Sequence, residues 1–124
     1  MAKSLHILAD LYNCNGEAKY LSNVKVIKEK VLEMIRRSGF TVVDSRFHKF
    51  APGTNATDGG ITGVIVVSES HAAIHTWPEK GFVNIDIFFC SYSRDNSKKT
   101  EKIFKKLTDL YKPRKMRRRD VWRD

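Results

Sequence analysis

Residues 82–89, Phe-Val-Asn-Ile-Asp-Ile-Phe-Phe, alternate with a period of two: Val83, Ile85, Ile87 and Phe89 share one face of a strand, and Phe82, Asn84, Asp86 and Phe88 share the other. The first face is wholly apolar and asks to be covered. The second carries an amide and a carboxylate that are costly to bury without partners. A chain built around such a strand points to an antiparallel sheet with helices over one side.

The rest of the chain supplies those parts. Val24, Ile27, Val31, Met34 and Ile35 recur at helical spacing after a capping Asn23 and stop at Gly39. From Ser97, a second helical face of Ile103, Phe104, Leu107, Leu110 and Tyr111 runs to Pro113, with lysines opposite. Strands are predicted over Leu5–Tyr12, Phe40–Phe50, Ile61–Val67 and Ala72–Trp77, the last joined to Phe82–Phe89 by the turn Pro78-Glu-Lys-Gly81. Residues 51–60 read as a mobile loop, and the last ten residues as an edge strand or a disordered tail. The expected fold is therefore an α+β two-layer sandwich, an antiparallel sheet with two helices on one face, in a single domain over residues 1–124.

With 124 residues, 41% apolar and 30% charged, the composition is that of one globular domain. No apolar run approaches the ~20 residues of a membrane span, and the first residues meet charge too soon for a signal peptide. The expectation is a cytoplasmic protein with no membrane partner. Cys14 and Cys90 are then expected as free thiols, and with no CxxC pair or HExxH helix around His6, His48, His71 and His75 no metal site is expected. The net charge of +9 is uneven: residues 1–90 carry 10 basic and 9 acidic side chains, residues 91–124 carry 13 and 5. Arg117, Arg118 and Arg119 in that basic tail offer phosphate contacts, so a non-enzymatic nucleic-acid-binding module is one alternative reading, though a terminal charge run is more often a solvated edge.

Chemistry concentrates in Ser68-Glu-Ser-His-Ala-Ala-Ile-His-Thr-Trp-Pro-Glu79, which sets hydroxyl, carboxylate and imidazole groups between two apolar strands. From the residues alone, Ser70 and His75 are either a nucleophile with a nearby base or a pair of structural polar groups. Here the sequence resembles the small prokaryotic S-adenosylmethionine decarboxylases, which install their own pyruvoyl cofactor by cutting the chain at a Glu-Ser bond. The likeness runs through Phe47-His-Lys-Phe-Ala-Pro52, Gly63-Val-Ile-Val-Val-Ser-Glu-Ser-His71, Ile74-His-Thr-Trp-Pro-Glu79, Gly81 and Ile85-Asp-Ile-Phe-Phe-Cys90, and more weakly through His6-Ile-Leu-Ala-Asp-Leu-Tyr-Asn-Cys14.

The resemblance implies that the Ser70 hydroxyl attacks the Glu69 carbonyl, turning the amide into an ester. Loss of the Ser70 α-proton to His75 then leaves a 69-residue β chain and a 55-residue α chain that begins with the pyruvoyl group. It implies a Schiff base between that group and the substrate amine, with Cys90 as proton donor to the α-carbon after carbon dioxide leaves. Phe50, Trp77 and Glu79 fall at substrate-binding positions: rings against the adenine and the sulfonium, a carboxylate for the ribose hydroxyls. His71 follows the cleaved serine and either orients it or is a spectator. Thr62 stands where the family usually has a serine that assists processing, and it keeps the hydroxyl. The expected activity is decarboxylation of S-adenosylmethionine for spermidine synthesis, by a homodimer of αβ units with residues of both protomers near each active site. A pyruvoyl-dependent decarboxylase of arginine or ornithine is the alternative within the same chemistry.

Overall fold

The alternation of residues 82–89 becomes the middle of a six-stranded sheet. The structure, a computed structural model, describes residues 3–52, 59–92 and 94–124. In chain order it contains β1 (Ser4–Cys14), α1 (Lys19–Ser22), α2 (Val24–Arg37), β2 (Val42–Lys49), β3 (Ile61–Val67), β4 (Ser70–Trp77), β5 (Phe82–Phe89), α3 (Ser97–Tyr111) and β6 (Pro113–Arg123). The strands lie in the order β2-β3-β4-β5-β1-β6, and every neighbouring pair is antiparallel. The two-layer α+β sandwich is the expected one.

Its core lies between the sheet and the helices. Leu5, Ile7, Leu11, Ile65, Val83, Ile85, Ile87 and Phe89 face Ile27, Val31 and Ile35 of α2 and Ile103, Phe104 and Leu107 of α3, all buried in one cluster. Each such side chain contributes roughly 1.5–3 kcal/mol by leaving water, which is what the apolar face of β5 demanded. Asn23 caps α2 as expected, its side chain accepting from the Val26 N–H at 3.1 Å. Among the described residues no helix covers the sheet's other face, which along β1, β4 and β5 presents His6, Leu8, Asp10, His71, Ala73, His75, Asn84 and Asp86.

Several boundaries differ from the sequence reading. β4 begins at Ser70 rather than Ala72, because Ser68 and Glu69 alone make the turn and Val67 already pairs with Ser70. β1 runs on to Cys14 and closes with Asn13 at a positive φ of 52°. The four-residue α1, too short to show periodicity, was not expected; Thr76 ties it to the sheet by donating to the Leu21 carbonyl at 2.6 Å. Gly81 ends the Pro78–Lys80 turn at φ 59°, a conformation that favours glycine. Of the predicted loop, residues 53–58 lie outside the described residues.

Of the two futures open to the basic tail, the edge strand is realised. Lys112, at φ 47°, turns the chain out of α3, and β6 pairs with β1 along its length from Cys14↔Pro113 to Ser4↔Arg123. Arg118 is absorbed into the fold: it hydrogen-bonds Glu101 and Asp120 and sits 4.8 Å over the Phe104 ring. Bonds to those two carboxylates, Glu101 foremost, raise its pKa above the usual arginine range.

Candidate active site

The two-residue turn at Ser68-Glu69 places the Glu69–Ser70 peptide at one end of the β3–β4 hairpin, beside the end of β5. The Glu69 carbonyl accepts a hydrogen bond from the Cys90 N–H at 3.1 Å, so the carbonyl preceding Ser70 is polarised by the backbone of Cys90. Ser68, Glu69, Cys90 and Tyr92 line a cleft of about 420 Å³ at this point. Within it, Glu69 Oε2 lies 3.7 Å from Arg94, while Oε1 is buried with no hydrogen-bond partner among the described residues.

Cys90 is held from three sides. Its N–H is committed to Glu69, its carbonyl accepts from the Asn96 side chain at 2.8 Å, and its sulfur lies 3.7 Å from Ser4 Oγ. The next residue continues the network, with the Ser91 N–H donating to Ser4 Oγ and the Asn96 N–H donating to Ser91 Oγ. Sequence reasoning missed Ser4, Ser91 and Asn96. Their signal is burial, since each is a polar residue less than 2% exposed. Cys14 is a different case: it sits at the far end of β1, roughly 33 Å from Ser4 by strand length, and burial pushes its thiol up to about 11. The two free cysteines therefore cannot meet.

The remaining expected residues form a second group. Thr62 and His75 pair directly across β3 and β4, and Thr62 Oγ1 lies 3.1 Å from His75 Nδ1. Trp77, two residues on and on the same face, packs tilted at 5.4 Å against Phe82, which in turn lies 5.0 Å from Tyr12. Phe50 closes the same end of the sheet, donating its N–H to the Gly60 carbonyl and packing edge-on against His48 at 4.7 Å. Glu79 follows in the Pro78–Lys80 turn. His75 lies five strand steps from Ser70, roughly 17 Å, and Trp77 seven steps, roughly 23 Å. By register, Ser70 has the parity of Ala72 and Ile74, and His75 has the opposite one. One chain therefore brings together Glu69, Ser70 and Cys90, and separately Thr62, His75, Trp77 and Phe50, without joining the two groups.

Beside Ser70, on the helix-free face, lies a cluster that no spacing in the sequence announces. His6, His71 and Asp86 offer ligand atoms within 4.8 Å of one another, a spacing open to a metal ion. However, the second nitrogen of His6 lies 3.5 Å from the Arg123 guanidinium, a fixed positive charge that opposes a cation there. Further along the same face, Asp10, His75, Asn84, Arg117 and Arg119 line an open cleft of about 550 Å³.

A pyruvoyl group made from the chain requires a serine hydroxyl next to a polarised carbonyl at an accessible turn. Ser70 and Glu69 fit that requirement.

The family described as S-adenosylmethionine decarboxylase matches residues 5–124. A curated S-adenosylmethionine decarboxylase proenzyme from Thermotoga petrophila is 41% identical over 102 residues, covering 82% of this chain and 72% of that one. The proenzyme of the same description from Thermosipho melanesiensis is 45% identical over 85 residues, 68% of this chain and 59% of its own length. The crystal structure of the adenosylmethionine decarboxylase from Aquifex aeolicus VF5 superposes with a TM-score of 0.80 at 28% identity, covering 98% of this chain and 91% of that one.

Proposed function

From the premise that this chain belongs to the S-adenosylmethionine decarboxylase family, we propose that it is a single-domain proenzyme that cuts itself between Glu69 and Ser70 and then decarboxylates S-adenosylmethionine. The observation that carries this reading is the hairpin end where Ser70, the Glu69 carbonyl and Cys90 converge. The Ser70 hydroxyl attacks the Glu69 carbonyl carbon, and the Cys90 N–H stabilises the negative charge that develops on the carbonyl oxygen. Cleavage separates residues 1–69 from residues 70–124.

The pyruvoyl group left on the second chain supplies an electron sink for loss of carbon dioxide. Cys90, its backbone fixed by Asn96 and Glu69, is the proton donor. Phe50 and Trp77 receive the adenine and sulfonium, and Glu79 receives the ribose. The product feeds aminopropyl transfer in spermidine synthesis.

His75 and the aromatic group act on a second copy of the chain. Neither reaches Ser70 within one protomer, and the helix-free face of the sheet, with Val64 and Val66 exposed, is open to a partner. The working unit is thus a homodimer in which His75, assisted by Thr62, removes the α-proton from the partner's ester. Among the described residues no helix is long and apolar enough to cross a membrane; the proposed site of action is the cytoplasm.

Intact mass spectrometry tests the cofactor, and carbon dioxide release from S-adenosylmethionine, arginine and ornithine tests the substrate. Two chains divided after Glu69, the second blocked at its amino end, with release from S-adenosylmethionine alone, are expected. A stable uncut chain refutes the processing; release from arginine or ornithine instead refutes the substrate.

A further inference from the structure

We propose that Ser70, His71, Asp86 and His6 form a proton relay that activates the Ser70 hydroxyl for self-cleavage, with His71 as the base; this rests on the reading of Glu69–Ser70 as the bond that is cut. His71 Nδ1 lies 3.2 Å from Ser70 Oγ. Its other nitrogen, Nε2, lies 3.7 Å from Asp86 Oδ1, and His6 Nε2 lies 2.6 Å from that same oxygen. The sheet register assembles the group: His71 on β4 and His6 on β1 both stand opposite Phe88 of β5, and Asp86 is the next β5 residue on their face.

The hydrogen-bond inventory fixes the direction of transfer. Arg123, 3.5 Å from His6 Nδ1, can only donate, so His6 accepts there and presents Nε2–H to Asp86. Asp86 can only accept, and although 3.7 Å is longer than a hydrogen bond, its negative charge favours the tautomer in which the facing His71 nitrogen carries the proton and the Nδ1 lone pair is left toward the Ser70 hydroxyl. A serine, an imidazole and an orienting carboxylate in that sequence are the parts of an activated nucleophile. The His6 side chain is 14% exposed, whereas Asp86 at 37% and His71 at 41% stay open to water.

The step balances. The Ser70 O–H bond breaks and its proton passes to His71 Nδ1 as Oγ bonds the Glu69 carbonyl carbon. The C–N bond between Glu69 and Ser70 then breaks, and His71 returns the proton to the Ser70 nitrogen. An amide becomes an ester and a free amine with no proton gained or lost. His71 is a catalytic residue of this step; Asp86 and His6 are positioning residues that hold its tautomer and offset its transient charge.

The test follows freshly synthesised proenzymes by intact mass. Cleavage of His71→Ala and His71→Gln is expected to be about 100-fold slower than wild type, and of Asp86→Asn about tenfold slower. Asp86→Glu and His6→Gln are expected to be slowed less than Asp86→Asn. Added imidazole should speed His71→Ala but not Ser70→Ala. Hydroxylamine, which cuts esters and spares amides, should cut His75→Ala and leave His71→Ala intact, because only the former accumulates the ester. His71→Gln keeps a hydrogen-bonding side chain of similar reach, so the comparison survives if the alanine variant does not fold. Wild-type cleavage in both His71 variants, slow cleavage that imidazole does not move, or an ester accumulating in His71→Ala would each overturn the relay. Cleavage in Ser70→Ala would instead overturn the assignment of the bond.

Discussion

Thr62 Oγ1 and His75 Nδ1 stand 3.1 Å apart across two strands in direct register, so a hydroxyl of β3 sets the orientation of the imidazole on β4. Replacing that hydroxyl by a methyl group of similar shape removes the partner without changing the packing. Thr62→Val is expected to slow processing about 3- to 10-fold, the value of one hydrogen bond, and Thr62→Ser to restore most of it. Time courses of cleavage by intact mass check both variants.

Two defective chains should repair each other. Ser70→Ala lacks the nucleophile and His75→Ala lacks the proton acceptor, so neither is expected to yield a pyruvoyl chain alone. Co-expressed with different tags, they should give an α chain derived from the His75→Ala copy, served by the histidine of the other. If that copy stays uncut although mixed dimers form, His75 does not act across the dimer.

Gly63 faces Phe47 in the β2–β3 pair, and a Cβ placed there would come 2.3 Å from the Phe47 ring. Gly63→Ala must push that ring off the core. A loss of about 1–3 kcal/mol is expected, read as a lower denaturant midpoint on the unprocessed Ser70→Ala background so that cleavage does not enter the comparison.

Burial pushes the Cys14 thiol up to about 11, well above the usual thiol range. The folded chain therefore keeps this proton after an unfolded chain has lost it. The resulting stability is complete below the unfolded value and fades as pH climbs through the folded one. Two outcomes follow: Cys14 resists alkylation near neutral pH by peptide mapping, and Cys14→Ala loses less stability than wild type between about pH 9 and about pH 11.

Much of this architecture was legible because the signals were local. The two-residue alternation of residues 82–89 and the helical spacing from Val24 to Ile35 each specify an element and its buried face. β6 was not decided by its own residues: Arg114, Lys115, Arg117 and Arg119 have little reason to extend, and the unpaired edge of β1 supplies it. The site was legible only where a motif spells it out, as at Glu69-Ser70. That Asp86 meets His6 and His71 depends on pairings 80 and 15 residues apart in the chain. The nearest hint was a carboxylate on the polar face of β5. The same limit hid the separation of His75 from Ser70, because an offset of five residues spans far less in a helix than in a strand.

The strand order β2-β3-β4-β5-β1-β6 carries a last consequence for a chain cut after Glu69. β1, β2 and β3 would belong to one fragment and β4, β5 and β6 to the other, with β1 enclosed between β5 and β6. The fragments are interleaved, so neither can leave without stripping backbone hydrogen bonds from several strand pairs at once. The native state would persist after cutting, but its return from denaturant would become an encounter between two molecules, slower at high dilution. Folding once as a single chain and working afterwards as two is a one-way passage, and unfolding the mature protein should therefore be far harder to reverse than unfolding its uncut Ser70→Ala precursor.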